Sequence, residues 1–351
     1  MPLSAIDVVS PAFERTKRLL FVPFRPGQWL RFALVGFLAG EMGGSGGCSS
    51  LRVPLNFPDS QSREQFQVGI PGAPGVLFFL GIALALFLVL VLVIVFTYIN
   101  SRMRFVLFDS IVEGECRIRD SWSRRGTPAF RYFLFQIAVA LAALASLGVL
   151  IGVPALLGLG MGLFENPRQH ILTLVLGGLV VGLLFLTWLI AFILLQVLTK
   201  DFIVPQMALD DVTATEAWRR LWNMMSADKV GYAGYLGMKV ALSLGAAIVL
   251  GIVTLLVFLV ILIPVGGLGV ITVLGGSAAG LTWNPLTIAI AIVVGAIVFL
   301  ALILIASLIS VPAIVFFPAY SIYFFAGRFP RLHTLLNPGL SAASEFPSSQ
   351  P

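Results

Sequence analysis

The feature that most constrains this chain is the stretch 76–96, VLFFLGIALALFLVLVLVIVF, which is apolar throughout and carries no charge. About 18 or more consecutive apolar residues are long enough to cross the hydrocarbon core of a bilayer as one helix. Similar stretches recur, because 59% of the residues are hydrophobic and only 11% are charged. Soluble domains carry about 25% charged residues, so this composition excludes a soluble fold. The sequence predicts an all-α integral membrane protein.

We predict six transmembrane helices, which form a bundle over residues 29–327. The predicted spans are 29–48, 75–100, 132–162, 171–198, 239–264 and 286–311. The first span is the weakest, because its apolar stretch WLRFALVGFLAGEM has only 14 residues. Residues 1–28 form an amphipathic N-terminal segment, and residues 328–351 are expected to be a disordered tail because they end in the polar sequence SAASEFPSSQP.

The basic residues predict the orientation of the bundle. With six spans, 19 of the 22 Lys and Arg residues fall on the side of the two termini, and only Arg52, Arg63 and Arg168 fall on the other. Because cytoplasmic loops are enriched in Lys and Arg, both termini are predicted in the cytoplasm. The protein is expected in the cytoplasmic (inner) membrane of a prokaryote. The net charge of +6 then reflects this bias and does not indicate a nucleic-acid partner.

Three similar stretches indicate an internal repeat: AIDVVS at 5–10, IVEGEC at 111–116 and ALDDVT at 208–213. Each has two apolar residues, then an acid and a small polar residue, and each is followed by a basic, helix-forming stretch. Similar stretches at nearly regular intervals are typical of folds in which one structural unit recurs along the chain. We therefore predict three units, about 1–104, 105–201 and 202–327. Each unit is a cytoplasmic amphipathic helix followed by a hairpin of two spans.

The third amphipathic helix is the clearest, because Thr213 and Glu216 fit a capping box at its start. Its aromatic residues recur at helical spacing beside a basic face, as in helices that lie in the headgroup layer. One interpretation is a surface that binds anionic lipid or a protein partner, and the other is a helix that only braces the bundle. The candidate binding residues are Trp218, Arg219, Arg220 and Trp222.

The stretch 40–50, GEMGGSGGCSS, raises two further possibilities that the sequence does not support. Ser45 lies in a Gly-x-Ser-Gly pattern like that of rhomboid intramembrane proteases, which need a histidine on a later span. His333 is predicted in the cytoplasmic tail and His170 in an outer loop, so neither fits. Cys48 does not fit a lipidation site, because Ser45 stands where an aliphatic residue is required. We interpret the glycines as the end of a membrane helix.

Glu41 is the candidate pathway residue, because a carboxylate within a membrane span is costly and usually functional. It is expected near the outer third of the first span. The alternative is a solvated or paired residue at a helix interface. The two histidines and two cysteines are scattered, so no metal site and no cofactor is predicted. No phosphate-binding loop occurs either, and we do not expect an enzyme.

Two stretches resemble a known kind of membrane protein: PFRPGQWLRFALVGFLAG at 23–40 and DFIVPQMALDDVTATEAW at 201–218. They are similar to a group of uncharacterised prokaryotic membrane proteins and to the membrane domain attached to some glycerophosphodiester phosphodiesterases. The His and carboxylate cluster of the phosphodiesterase domain is absent. The resemblance therefore implies a membrane module without established chemistry.

Two functions follow from these observations. The first is transport or handling of lipids and other amphiphiles through the helix bundle, with a polar site at Glu41. The alternative is a non-catalytic membrane scaffold whose basic cytoplasmic face binds anionic lipid or a protein partner. Dependence of flux on Glu41 would favour the first, and dependence of binding on Trp218 and its basic neighbours would favour the second.

Overall fold

The computed structural model describes residues 4–41, 75–162, 170–278 and 285–336, and all regular secondary structure in these residues is helical. One π-helical turn, Thr199–Ile203, joins the sixth and seventh α-helices. The α-helices are α1 (Val9–Phe21), α2 (Pro26–Leu38), α3 (Gly75–Glu113), α4 (Ile118–Arg124), α5 (Gly126–Gly160), α6 (Ile171–Leu198), α7 (Val204–Asp210), α8 (Ala214–Ala227), α9 (Lys229–Ala278), α10 (Pro285–Ala326) and α11 (Pro330–Leu336).

Five helical segments of the described chain are long and apolar enough to cross a membrane: Phe79–Glu113, Gly126–Gly160, Ile171–Asp210, Lys229–Gly267 and Thr287–Ala326. They correspond to the last five predicted spans, so the prediction of an all-α membrane protein is confirmed. These segments have 35 to 40 residues each. At 1.5 Å per residue they exceed the bilayer core of about 30 Å, so part of each helix extends beyond it.

The first predicted span, 29–48, is not among these helices. Its apolar residues form α2, which has 13 residues and is therefore only about 20 Å long. Positions 42–48 of that predicted span lie outside the described residues. Helix α2 buries Phe32, Ala33 and Val35 against other helices of the protein. A stretch of this length is typical of a helix buried within a protein, and the sequence pattern alone did not distinguish it from a short span.

The five long helices pass through two layers that differ in packing. In the apolar layer, residues 79–96, 134–161, 171–194, 240–267 and 288–304, most side chains are exposed in the isolated chain. In the packed layer, residues 4–41, 98–133, 195–239 and 305–336, the buried core of the protein is found. Apolar side chains in the first layer are exposed because lipid, and not protein, is their neighbour in a membrane.

Aromatic rings from three segments form the centre of the packed layer. Tyr235 of α9 stacks on Tyr320 of α10, with ring centroids 5.3 Å apart, and lies 4.5 Å from the ring of Phe324. Phe202 of the π-helical turn lies 5.2 Å from the ring of Tyr235. All four side chains are fully buried, so they hold the π-helical turn in a defined position between α9 and α10.

The repeat predicted from the sequence is visible only in part. The stretches 5–10, 111–116 and 208–213 lie in the packed layer at or shortly before α1, α4 and α8. Helices α4 and α8 lead into the long helices α5 and α9, whereas α1 leads into the short α2. The described part of the first unit therefore lacks the predicted two-span hairpin, and the three-unit repeat stays a prediction.

The predicted disordered tail, 328–351, begins with ordered residues. Helix α11 covers Pro330–Leu336 and buries Leu332 in the core. Arg328 and Arg331 form ion pairs with Asp228 and Asp210, each at 2.6 Å. Burial of Leu332 and the ion pairs of Arg328 and Arg331 hold this segment against the rest of the protein. Residues 337–351 lie outside the described part of the chain.

Candidate functional site: a buried ionic cluster

Five charged residues meet where the packed layer adjoins the apolar layer, and we call them the ionic cluster: Glu41, Arg104, Lys200, Asp201 and Lys239. Arg104 comes from α3, Lys200 and Asp201 from the π-helical turn, and Lys239 from α9. Glu41 follows α2 directly after Gly40, whose φ of +72° lets the chain turn away from the helix. Four segments that are distant in sequence thus contribute charges to one place.

Each carboxylate of the cluster contacts a lysine. Lys200 Nζ contacts Glu41 Oε2, and Lys239 Nζ contacts Asp201 Oδ2. The carboxylate side chains are almost completely buried, with exposed fractions of 4% for Glu41 and 2% for Asp201. The hydroxyl of Tyr235 also donates a hydrogen bond to Asp201 Oδ2, at 2.9 Å. The pairing is required because a buried carboxylate without a cation would be strongly destabilising.

Arg104 has neutral partners. Its Nε donates to the carbonyl oxygen of Ala39 at 3.3 Å, and its Nη1 donates to the hydroxyl oxygen of Tyr132 at 3.0 Å. The same hydroxyl accepts a hydrogen bond from Gln136 Nε2 at 2.8 Å. Among the described residues no carboxylate forms an ion pair with Arg104. The cluster therefore holds three cations and two carboxylates, and Arg104 is its cation without an ion pair.

The π-helical turn has a local cause in the sequence. In a regular α-helix the backbone N–H of residue 205 would donate to the carbonyl of Asp201, but Pro205 has no N–H and its ring would clash with that carbonyl. The helix widens over Thr199–Ile203, one turn before this proline. Single π-helical turns within α-helices are frequent at functional sites. Here the turn carries both Lys200 and Asp201 into the cluster.

A small cavity of about 30 Å³ adjoins the cluster. Its lining includes four charged residues of the cluster and residues of α3, α7 and α10: Glu41, Arg104, Lys200 and Asp201, then Leu107, Phe108, Val204, Pro205, Pro318, Ser321 and Ile322. This volume has room for one or two water molecules. The arrangement is thus suited to hold water or a small anionic group beside an arginine that lacks a carboxylate partner.

The comparisons with known proteins place the chain in one family. The family described as "Family of unknown function (DUF7544)" matches residues 3–335. The chain belongs to DUF7544. No curated protein and no solved structure matches it. The comparisons therefore show no similarity to the membrane domain of the glycerophosphodiester phosphodiesterases, and membership of an uncharacterised family is the part of the resemblance that holds.

In this DUF7544 protein Glu41 is buried and paired, and it lies elsewhere than its sequence position suggested. It was expected near the outer third of a span, yet it contacts Lys200, which the sequence places at the cytoplasmic end of another. The reason is that α2 packs on the bundle and does not cross the apolar layer. Lys239, the last residue of the packed layer on α9, pairs with Asp201.

Sequence reasoning did not identify Arg104, Lys200 and Asp201 as site residues. Each lies within a few residues of the end of a predicted span, where basic residues usually contact headgroups. One available signal was Pro205, because a proline four residues after Asp201 disturbs a helix that is otherwise continuous. A second was the similarity of RFVLFD at 104–109 to DFIVPQ at 201–206.

The candidate binding face on α8 contributes none of the described residues that line the cavity at the ionic cluster. Trp218 is half-buried against the core, and Arg220 pairs with Asp210 and Glu216, at 2.9 and 3.1 Å. Hydrogen bonds from Arg220 and then Arg219 lower the pKa of Glu216. Thr213 Oγ1 accepts a hydrogen bond from the backbone N–H of Glu216 at 3.4 Å, which is one half of the predicted capping box.

Two residues of this face extend outward. The side chain of Arg219 is 75% exposed and Trp222 is 66% exposed. Arg219 and Trp222 are three residues apart on the helix, so they lie next to each other. Trp218 and Arg220 therefore contact other parts of the protein, whereas Arg219 and Trp222 are accessible.

The remaining sequence candidates are not brought together. Ser45 and Cys48 lie outside the described residues. His170 begins α6 at the apolar end, whereas His333 lies on α11 in the packed layer. Burial raises the pKa of the Cys116 thiol. In the described residues no group of three His, Cys, Asp or Glu side chains is placed to hold a metal ion.

Proposed function

We propose that this protein binds an anionic substrate at the ionic cluster and moves it across or within the membrane. Transport or amphiphile handling is thus the function that we favour, as the sequence suggested. The observation that carries the proposal is Arg104, a cation without a carboxylate partner beside a cavity at the level where the apolar layer begins.

The charges of the cluster support this proposal. Buried ion pairs add little net stability to a fold, so a cluster of five charges is hard to explain as a stabilising device. One anionic group at Arg104 would neutralise the excess charge, and a guanidinium binds phosphate or carboxylate with two parallel hydrogen bonds.

The ion pair between Glu41 and Lys200 suggests how a larger substrate is accommodated. The cavity of about 30 Å³ is too small for anything larger than a few atoms. Separation of Glu41 from Lys200 would enlarge it and free a second cation for the substrate. Because Glu41 comes directly after α2, a movement of this helix would change the cluster.

We also propose that the packed layer lies in the cytoplasm and that the membrane is the inner membrane of a prokaryote. All 19 Lys and Arg residues within the described segments lie in the packed layer. The positive-inside rule then assigns this layer to the cytoplasmic side. Helices α1 and α11, near the two ends of the chain, belong to the same layer.

The test is native mass spectrometry of what co-purifies with the protein in discs of its own membrane. We expect a phosphate- or carboxylate-bearing compound on the wild type and on Arg131→Gln, a control that removes an exposed arginine of α5. Arg104→Gln should lower its occupancy about 10- to 100-fold, since hydrogen bonds to charged groups contribute about 1.5–3 kcal/mol. Equal occupancy in the two variants would refute the proposal.

A scaffold function is the second candidate, and the exposed pair Arg219 and Trp222 favours it. An exposed tryptophan beside an arginine suits the headgroup layer of an anionic membrane or the surface of a protein partner. In the same discs, Arg219→Gln with Trp222→Ala would then reduce the enrichment of bulk anionic lipid, and Arg104→Gln would not. The reverse pattern would favour the ionic cluster.

A further inference from the structure

A second cavity, which we call the lateral cavity, lies between α2, α3 and α5 and has a volume of about 310 Å³. Residue 96 is the last of the exposed apolar stretch of α3, and residues 97–100 are partly buried. The lateral cavity therefore lies where the acyl chains of a bilayer meet the headgroups. Its lining residues are Phe37, Leu38, Phe96, Thr97, Asn100 and Gln136.

The lining of the lateral cavity has an apolar side and a polar side. Phe37 and Phe96 are exposed large apolar side chains at its margin. Asn100 and Gln136 supply amide groups, and the side chain of Asn100 makes no hydrogen bond to other described residues. An apolar margin beside the unpaired amide of Asn100 suits a molecule that has both an apolar and a polar part.

A chain of hydrogen bonds joins the lateral cavity to the ionic cluster. Gln136 Nε2 donates to the Tyr132 hydroxyl at 2.8 Å, and Arg104 Nη1 donates to the same oxygen at 3.0 Å. Arg104, the cation of the cluster without an ion pair, therefore lies behind the polar side of the lateral cavity. Among the described residues that line the cavity there is no carboxylate to balance this charge.

We infer that the lateral cavity takes the headgroup of an anionic phospholipid from the bilayer, with the acyl chains remaining in the apolar layer. This inference rests on the proposed function and names its substrate class. A volume of 310 Å³ is at the lower end of ligand pockets, but only the headgroup must enter. Arg104 favours an anionic headgroup over a zwitterionic one, and Asn100 and Gln136 donate to its phosphate.

The experiment is native mass spectrometry of the full-length protein in detergent, titrated with three probes. The probes are phosphatidylglycerol, phosphatidylcholine and glycerol phosphate, which has the anionic headgroup without acyl chains. We expect the wild type to bind phosphatidylglycerol about tenfold more tightly than either other probe. Arg104→Gln should abolish the preference for the anionic lipid over phosphatidylcholine.

Two variants address the lateral cavity itself. Thr97→Phe fills it, and Asn100→Leu removes a donor at nearly constant volume. Each should weaken binding of phosphatidylglycerol about tenfold. Asn100→Leu removes a hydrogen bond to the phosphate, and Thr97→Phe blocks part of the site, and about 1.4 kcal/mol corresponds to a tenfold change in affinity. The matched controls on α6, Thr187→Phe and Gln196→Leu, should bind it like the wild type. Circular dichroism and the thermal midpoint check that each variant is folded.

The outcomes separate the inference from the proposed function. If Arg104→Gln loses binding but Thr97→Phe and Asn100→Leu do not, the ionic cluster stands and the lateral cavity is refuted. If glycerol phosphate binds as tightly as the lipid and depends on Arg104, the substrate is a soluble anion and the inference is wrong. If no probe depends on Arg104, both proposals fail.

A photoreactive amino acid at position 97 gives an independent measurement in the membrane. Ultraviolet irradiation should produce an adduct whose mass is that of one phospholipid. A crosslink to another part of this chain would show that the protein itself fills the lateral cavity, and it would overturn the inference.

Discussion

At the scale of single residues, Asp201 joins two side chains of α9 to the π-helical turn. Its Oδ2 contacts Lys239 and accepts a hydrogen bond from Tyr235. The buried carboxylate thus has both a cation and a hydroxyl donor as partners. The stability of the packed layer near α9 should therefore depend on both partners of the pair at once.

We expect Lys239→Met to destabilise the protein by about 3–5 kcal/mol, because it leaves Asp201 buried without a cation. The double variant with Asp201→Asn should recover part of this loss. Unfolding in mixed micelles measures the free energy. Arg131→Met, which breaks the exposed ion pair with Asp211 (3.4 Å), is the control and should cost less than about 1 kcal/mol. A cost for Lys239→Met as small as that of the control would contradict the account of the cluster.

The ion pair between Asp228 and Arg328 predicts a dependence of stability on pH. Hydrogen bonds from Arg328 and then from the Gly231 N–H lower the pKa of Asp228 below its ordinary value of 3.8. A lowered pKa in the folded state gives stability that is fully present above the ordinary pKa and is lost as the pH falls through the lowered one. The difference in thermal midpoint between wild type and Asp228→Asn should thus be largest near neutral pH and shrink in acid.

Asp211→Asn is the control for this pH experiment, since it removes the same charge from a more exposed ion pair. Its midpoint should follow that of the wild type more closely at neutral pH. A gap between wild type and Asp228→Asn that stays constant from about pH 7 to about pH 3 would argue against a titrating carboxylate at this position.

At the scale of elements, the position of α2 depends on close contact with α10. A Cβ atom on Gly36 would collide with Cγ2 of Ile314 and come within 2.7 Å of its Cδ1. Ile314 is fully buried and branched at Cβ, so it has few alternative rotamers. The glycine therefore allows α2 to lie against α10, which in turn places Glu41 in the ionic cluster.

Gly36→Ala should destabilise the protein by about 1–3 kcal/mol through overpacking, although alanine is the better helix former. Gly27→Ala in the same helix is the matched control, because a Cβ there meets no atom within 4 Å. Its stability should be equal to or slightly above that of the wild type. Thermal unfolding of the two variants decides the point, and a more stable Gly36→Ala would show that α2 is not held by this contact.

At the scale of the whole molecule, the two layers predict an orientation in the membrane. Ser123 of α4 lies in the packed layer, shortly before α5 begins, and Met161 lies at the C-terminal end of α5. Helix α5 has 35 residues and is about 52 Å long, so its two ends should lie on opposite sides of the bilayer. The positive-inside rule assigns the Ser123 end to the cytoplasm.

Labelling of single cysteines in intact cells tests this orientation. In a Cys48→Ser, Cys116→Ser background, a membrane-impermeant maleimide should label Met161→Cys from outside and label Ser123→Cys only after lysis. The reverse result would invert the orientation. Labelling of both positions from outside would mean that α5 does not cross the membrane.

The sequence by itself determined the properties that depend on short windows of residues. Five long helices were predictable because about 20 consecutive apolar residues have no stable place except in lipid or a large core. The concentration of basic residues at one end was predictable in the same way. Glu41 was recognised because a carboxylate beside apolar residues is costly wherever it lies.

Only the tertiary structure decided what Glu41 and its neighbours contact. The apolar stretch of α2 is shorter than a typical membrane span and more apolar than a typical surface helix. Its contacts with the other helices decided that it lies in the packed layer. The partners of Glu41 and Asp201 lie far along the chain, and Arg104 is distinguished only by lacking such a partner. Local hydropathy indicates whether a residue is more stable in lipid or in water. An ion pair depends on the distance between two side chains, which only the packing of the helices defines.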